Sequence, residues 1–348
     1  MKNWDVIVVG GGIIGLSISI ALKKRGAAVL VVERGEPGRE ASYAAAGMLA
    51  DTPIELPAEL HELARVSARM YPEFVHQLED ESGSKVDLRD QGTIFLSADH
   101  GNNGHSLPAP LAKLEPELAG PEQPAMYFKE RSVDPRALAV AALTAARHRG
   151  VNVSSGTTVT RVVVSDGRVS GVETDKTGYG APCVVNCAGA WSGQVGPARF
   201  PTRPVKGQML ALVGPPELVR HVIRSRAGYL VPRSDGRVVV GSTLEEAGFD
   251  KRTDADTIHR LHQTALRMVP KLAEARILES WAGLRPGTPD TLPLLGKAST
   301  PGYFVATGHF RDGILLAPVT AETMARVIMG DEPEYDLSAF SPERFSNT

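Results

Sequence analysis

The sequence predicts a mixed α/β (α+β) fold in which a parallel nucleotide-binding layer is interrupted by an antiparallel, β-rich second domain. Three observations predict it. A glycine loop separates an apolar run from a helical pattern at the start of the chain. Strand-like runs follow one another between residues 204 and 243, and strand–helix alternation returns near the end. The 348 residues suffice for a large core and two domains. With 42% hydrophobic residues, 22% charged residues and a net charge of −2, the chain has the composition of a soluble globular protein. It offers no electrostatic case for nucleic acid. No window approaches 18 uninterrupted apolar residues, so no membrane span is expected. The first strand begins by Trp4, which leaves no room for a signal peptide, so a cytoplasmic location is expected.

In the stretch "DVIVVGGGIIG", Val6 to Val9 read as a buried strand and Ile13 onward as a helix. Between them Gly10, Gly12 and Gly15 fit G-x-G-x-x-G. The first glycine permits a tight turn, the second lets a pyrophosphate approach the backbone, and the third lets helix pack on strand. A second strand, "AAVLVVERG", ends in Glu33. An acidic residue about 20 positions past the loop accepts hydrogen bonds from an adenosine ribose. The motif alone does not choose between NAD and FAD.

Leu60, Leu63, Ala64, Met70, Phe74 and Leu78 form a helical stripe over 58–82, which Gly83 stops. The Pro-, Gly- and Asn-rich stretch 98–125 reads as loop. Asp134-Pro135 caps a helix running to Gly150. "RVVVSDGRVSGVET" reads as two strands joined at Asp166-Gly167, and "PCVVNCAGAWS" as another buried strand. Its cysteines, Cys183 and Cys187, are read as buried small hydrophobes and not as a redox or metal pair. Next come "GQMLALV", "GYLVPR" and "VVVGST", a helix near 254–268, the strands "ILESWAGLRPG" and "GYFVATG", and a closing helix. This order predicts a nucleotide-binding domain at 1–83, 131–203 and 281–348, interleaved with a second domain at 84–130 and 204–280.

The late stretch "VATGHFRDGILLAP" narrows the cofactor. It reads as a strand, a crossing loop and a helix beginning at Gly313, whose N-terminal amides would point into a crevice. A flavin gains negative charge at its pyrimidine edge on reduction, so a positive helix terminus favours the reduced form. A nicotinamide becomes neutral on reduction and gains nothing similar. An ordinary strand-to-helix turn is the plain alternative.

Taken together, "GGGIIG", "SYAAAGML", "PVKGQML", "YLVPRSDGRVVVGST", "WAGLRPGTPD" and "GHFRDGILLAP" resemble the glycine oxidases of the D-amino-acid oxidase family, over residues 4 to 330. Some of these flavoenzymes are associated with thiamine synthesis. The resemblance implies a Rossmann-like FAD-binding domain, an interleaved antiparallel substrate domain, non-covalent FAD, and oxidation of small amines or amino acids by oxygen. By position it implies FAD contacts at Ile13 and Ile14, at Glu33 and Arg34, and at Ala41, Ser42, Ala46, Gly47, Met48 and Val159. The final loop, His309, Phe310, Arg311, Asp312, Gly313, Ile314 and Leu315, would wrap the pyrimidine edge. With no cysteine after Cys187, a cysteinyl tether to the flavin near that loop is excluded.

For the substrate the resemblance singles out Arg285, Tyr229 and Arg311. A guanidinium emerging from a buried strand needs a partner, and a bidentate substrate carboxylate is one; an internal salt bridge is the alternative. Tyr229 would add a phenol hydrogen bond, or serve as an amphipathic core residue. Arg311 would lie near substrate or act through its backbone. His309 belongs to the flavin loop and is not taken as a base. The expected chemistry is hydride transfer from a small amino acid, giving an imino acid, then an oxo acid plus ammonia or amine, with peroxide from oxygen. A dehydrogenase passing electrons to a carrier, and an FAD-binding protein without catalysis, are the rival classes. "RSRAG" before Tyr229, and Leu244, depart from the glycine-specific members, which leaves glycine, sarcosine, D-alanine and larger N-substituted glycines open. No metal site is expected; the oligomeric state is not readable from the sequence, although the resembling enzymes are often homo-oligomers.

Overall fold

The computed structural model describes residues 4–52, 54, 56–96, 106–120 and 122–345. Its centre is a six-stranded sheet in the order Leu294–Lys297, Tyr303–Thr307, Cys183–Asn186, Val6–Val9, Val29–Val32, Asn152–Ser154. All neighbours are parallel except the edge strand Leu294–Lys297. Successive side chains leave opposite faces of a strand. Val6, Val8, Val29 and Val31 therefore pack under the helices, while Ile7, Val9, Leu30 and Val32 pack on the other side. The helices are Ile13–Lys24, His61–Ser82, Pro135–His148 and Ala317–Met329. Asp134 caps its helix as expected, accepting from the Arg136 amide at 2.9 Å, and Gly83 ends another at φ 67°. The opposite face is covered by an antiparallel sheet of Val159–Ser165, Arg168–Thr174 and Gly178–Gly180. Asp166 and Gly167, both at positive φ, make its first turn.

The second large sheet has seven strands in the order Arg276–Gly287, Arg203–Val213, Arg237–Gly241, Gly228–Pro232, Val222–Ser225, Thr93–Leu96, Ala125–Phe128. It is not wholly antiparallel: Val222–Ser225 runs parallel to Thr93–Leu96. Those two strands come from separate excursions of the chain, so no hairpin dictates their relative direction. Part of the stretch expected to be loop is ordered, as the helical turn Leu111–Leu114, and the edge strand Ala125–Phe128 begins at its last residue; residues 98–105 and 121 lie outside the described residues. The expected division between 280 and 281 falls inside Arg276–Gly287, and we place that boundary after Gly287 as a proposal.

One face of this sheet is covered by Ala255–Met268, through Leu261, Ala265 and Met268 against Leu210, Leu230 and Val240. The other face carries Met209, Tyr229, Val239 and Trp281, and meets Ala46 and Met48 of the first domain. Alternation along the strands thus gives the sheet one face for its own core and one for the interdomain space.

Candidate active site

Between the C-terminal ends of the parallel strands and that second face lies a cavity of about 670 Å³. Its floor includes Val9, Val32, Cys187 and Thr307, the place where open α/β sheets take their ligands. Gly10 sits at φ 107°, and a side chain there would overlap the Cys187 carbonyl; one at Gly15 would overlap the Gly10 carbonyl. Gly12 is different. An added Cβ would meet only the Ser42 hydroxyl, at 3.4 Å, so chain packing does not demand glycine there. The cavity does: Gly12 lines it with Gly10, Ile13 and Ile14, and leaves room for a phosphate against the backbone. Gly15 serves helix–strand packing and does not line the cavity.

Glu33 lines the cavity and is 8% exposed. Its carboxylate accepts from the Gly11 amide at 2.7 Å and the Gly35 amide at 2.8 Å, which fixes the side chain. A carboxylate has about four acceptor positions, so capacity remains for a diol. Arg34 ion-pairs with Glu40 at 3.0 Å and lies over the Trp191 ring at 3.5 Å; Trp191 in turn stacks on Phe249. Trp191 is a cavity residue that the sequence reading missed, in a short 3₁₀ segment with no local motif. Ala41, Ser42, Ala46, Gly47, Met48 and Val159 all line the cavity. Ser42 also accepts from the Ile13 amide at 3.0 Å, tying this segment to the glycine loop.

The last loop is built differently from expectation. Regular helix starts at Ala317, not Gly313. Pro318 stands in the first turn, where a residue without an N–H fits best, and so sets the start. Residues 309–316 form tight turns, Asp312 to the His309 carbonyl and Leu316 to the Asp312 carbonyl, both 2.8 Å. Phe310 takes a positive φ of 48°, which is strained for a bulky residue. His309, Phe310, Arg311, Asp312, Gly313 and Ile314 line the cavity; Leu315 does not, and is buried in the core beneath. The His309 ring is 3% exposed and bonds Thr320 at 3.2 Å. Burial pushes its pKa down to about 3, so it is a neutral anchor for the loop.

On the facing sheet the Arg285 guanidinium donates to the Ser242 hydroxyl at 2.7 Å and the Thr243 carbonyl at 3.2 Å. Among the described residues no carboxylate pairs with it. Burial lowers its proton affinity, Tyr229 beside it acts the other way, and Arg311 lowers it further. The phenol of Tyr229 lies against Met209, 3.4 Å from its sulfur. Gly207 explains how Arg285 fits: a Cβ there would lie 2.5 Å from Nη2 and 2.6 Å from Cζ. The guanidinium therefore rests on bare backbone of the neighbouring strand. "RSRAG" does border the cavity, through Arg224, Ser225, Arg226 and Ala227, whereas Leu244 is exposed and does not line it. Arg224 stands 3.8 Å from the buried Glu130.

The family model described as FAD dependent oxidoreductase matches residues 5–327. The chain belongs to this family. This FAD-dependent oxidoreductase is 32% identical to the glycine oxidase of Pseudomonas putida, over 97% of the chain and 98% of the relative. It is 35% identical to the bifunctional protein ThiO/ThiG of Synechocystis, matching over 99% of the chain but 54% of that relative, so it spans about half of that protein's length. A solved glycine oxidase from Geobacillus kaustophilus superposes with a TM-score of 0.93 at 31% identity, covering 99% of both chains. FAD is therefore the oxidoreductase's cofactor. Its cysteines are free; Cys187 is buried at the cavity floor, whereas Cys183, expected to be buried, is half-buried at the start of its strand, and burial pushes both thiols up. Among the described residues no group of His, Cys, Asp or Glu could hold a metal, and no helix is long and apolar enough to cross a membrane.

Proposed function

We propose that this oxidoreductase oxidises glycine or a small N-substituted amino acid, of the sarcosine or D-alanine class, with oxygen as acceptor and hydrogen peroxide as product. The observation that carries the reading is Arg285: a largely buried cation facing the cavity, held by two neutral acceptors and by no carboxylate among the described residues. A buried cation is costly without a counter-charge, and a substrate carboxylate supplies one bidentately. Among the described residues no carboxylate forms the internal salt bridge that is the alternative reading.

FAD, held by the residues lining the cavity, would supply the hydride acceptor for the substrate's α-carbon hydrogen. The adenosine side is assigned to Gly10, Gly12, Ile13, Ile14, Glu33, Arg34 and Val159, and the ring side to Ala41, Ser42, Ala46 to Met48 and the loop His309 to Ile314. Arg285 holds the carboxylate, and the neighbouring Tyr229 phenol donates to the same group. Arg311, exposed at the loop, adds positive charge at that end. Hydride transfer asks for no side-chain base at the α-carbon, so positioning carries the rate. His309, buried and neutral, keeps the loop in place. Ala227 and Gly228 leave space beyond Tyr229, which suits an amine bearing a substituent.

The test is an oxygen-consumption and peroxide screen of the purified holoenzyme across glycine, sarcosine, N-alkyl glycines and both alanine enantiomers. Peroxide formed in step with oxygen uptake supports the oxidase. Turnover only with an added electron carrier would replace it with a dehydrogenase.

A further inference from the structure

The cavity-lining run Ala44 to Met48 belongs to the first domain, yet its carbonyls are gripped from outside it. The Trp281 indole donates to the Ala44 carbonyl at 3.1 Å, and an Arg233 Nη2 donates to the Ala46 carbonyl at 2.6 Å. Both donors come from the seven-stranded sheet, Trp281 within Arg276–Gly287 and Arg233 just past Gly228–Pro232. The Val133 amide takes the Gly47 carbonyl at 2.8 Å, and Arg136 reaches the Tyr43 carbonyl at 3.4 Å. Gly47, at φ 76°, can hold no side chain because Val133 and Pro135 press against it. Three carbonyls of the run, at Ala44, Ala46 and Gly47, are thus each held by a donor from another segment.

Arg233 is the unusual member of this clamp. It is 3% exposed, and its Nε and Nη1 have no hydrogen-bond partner among the described residues. Asp134 and Asp87 face its charge, but the hydrogen bonds they accept come from Arg237 at 2.7 Å, the Arg136 amide and Ser234, and not from Arg233. A guanidinium buried with unused donors contributes little to stability. Its one side-chain hydrogen bond is to a carbonyl of the run beside the proposed flavin position.

We propose that Arg233, with Trp281, is a positioning residue for the flavin: it fixes the Ala44–Met48 backbone in the shape the ring system requires, so that the substrate sheet sets the cofactor site of the other domain. This rests on the ring placement proposed above. Arg233→Met removes the donor while keeping bulk, and Trp281→Phe removes only the indole N–H. Apoprotein is titrated with FAD, and the visible flavin band and the apoprotein melting temperature are recorded. For Arg233→Met the FAD dissociation constant rises by about tenfold or more, and for Trp281→Phe by roughly two- to tenfold, as expected for a charged and a neutral hydrogen bond. Both shift the flavin band, Arg233→Lys recovers part of the loss, and the apoprotein melts near the wild-type temperature. Wild-type affinity and band shape in these variants would overturn the inference, and if Arg233→Met does not fold, Arg233→Lys and Trp281→Phe decide it alone. Gly12→Ala separates the two failures. If it leaves FAD affinity unchanged, the cofactor placement itself is wrong; if it weakens FAD while the clamp variants do not, only the positioning role falls.

Discussion

Gly207→Ala is a small change that acts on the site without replacing any residue proposed to bind substrate or FAD. A Cβ at 207 would stand 2.6 Å from Cζ of Arg285. Carbon atoms pack at about 3.5 Å or more, so roughly 1 Å must be found. The backbone cannot yield it, because Gly207 is paired on Arg203–Val213 with Gly283 of the next strand. The flexible arginine yields instead, and its bonds to Ser242 (2.7 Å) and Thr243 (3.2 Å) bend or break. A misplacement of about 1 Å in a positioning group can lower rate by on the order of 10²-fold, so kcat/KM should fall between about tenfold and that figure. Stability should barely move: φ at 207 is not in the left-handed region, and alanine there restricts the unfolded chain by about 0.4–1 kcal/mol, offsetting the crowding. The assays are kcat/KM by oxygen uptake, melting temperature and bound flavin, on one preparation. In the double variant with Arg285→Ala, Gly207→Ala should have no further effect, since it acts through that side chain. A folded, FAD-loaded Gly207→Ala enzyme within about twofold of wild type in kcat/KM would refute the anchoring role of Arg285.

Arg285→Ala itself should lower kcat/KM by about 30- to several-thousand-fold, corresponding to roughly 2–5 kcal/mol for truncating one partner of a buried charge pair, with little change in FAD content; Arg285→Lys should recover only part, and a destabilised variant with normal kinetics would restore the salt-bridge alternative. The protein should be yellow, and acid precipitation should leave FAD in the supernatant; flavin retained in the pellet would contradict the non-covalent reading. His309, with its folded pKa depressed to about 3, is neutral when the unfolded chain already binds a proton below about 6.5. Its contribution is therefore full above that pH and is lost on acidification towards 3, by up to about 1.4 kcal/mol per pH unit. His309→Gln should flatten that part of the stability-against-pH curve, and an unchanged slope would show that His309 titrates normally.

Much of this was legible because the elements carry local signals. The glycine loop, Asp134-Pro135, Gly83 and the Asp166-Gly167 turn each announce themselves within a few residues. What escaped were short strands that exist only through their neighbours. Ala125–Phe128 is four residues in a Pro- and Gly-rich setting, and it is a strand because Thr93–Leu96 offers it an edge. The helix expected at Gly313 starts at Ala317 for a reason present in the sequence, Pro318, which the reading of "DGILLAP" passed over.

The site divides in the same way. Residues proposed to meet FAD or substrate could be named in advance, from the glycine motif or from the family resemblance, and most of them line the cavity. The residues that make those groups point correctly could not. Gly207 matters because Arg285 lies across it, Arg233 because a carbonyl of another domain reaches it, and Trp191 because Arg34 lies on it. Each relation joins segments far apart in sequence, and glycine, arginine and tryptophan there look like ordinary strand or loop residues. The seven-stranded sheet carries Arg285, the proposed carboxylate anchor, with the cleared backbone of Gly207 beneath it, and the donors Trp281 and Arg233 to Ala44 and Ala46. Substitutions on its cavity face should therefore alter cofactor and substrate behaviour together, whereas those under Ala255–Met268 on its other face should alter stability alone.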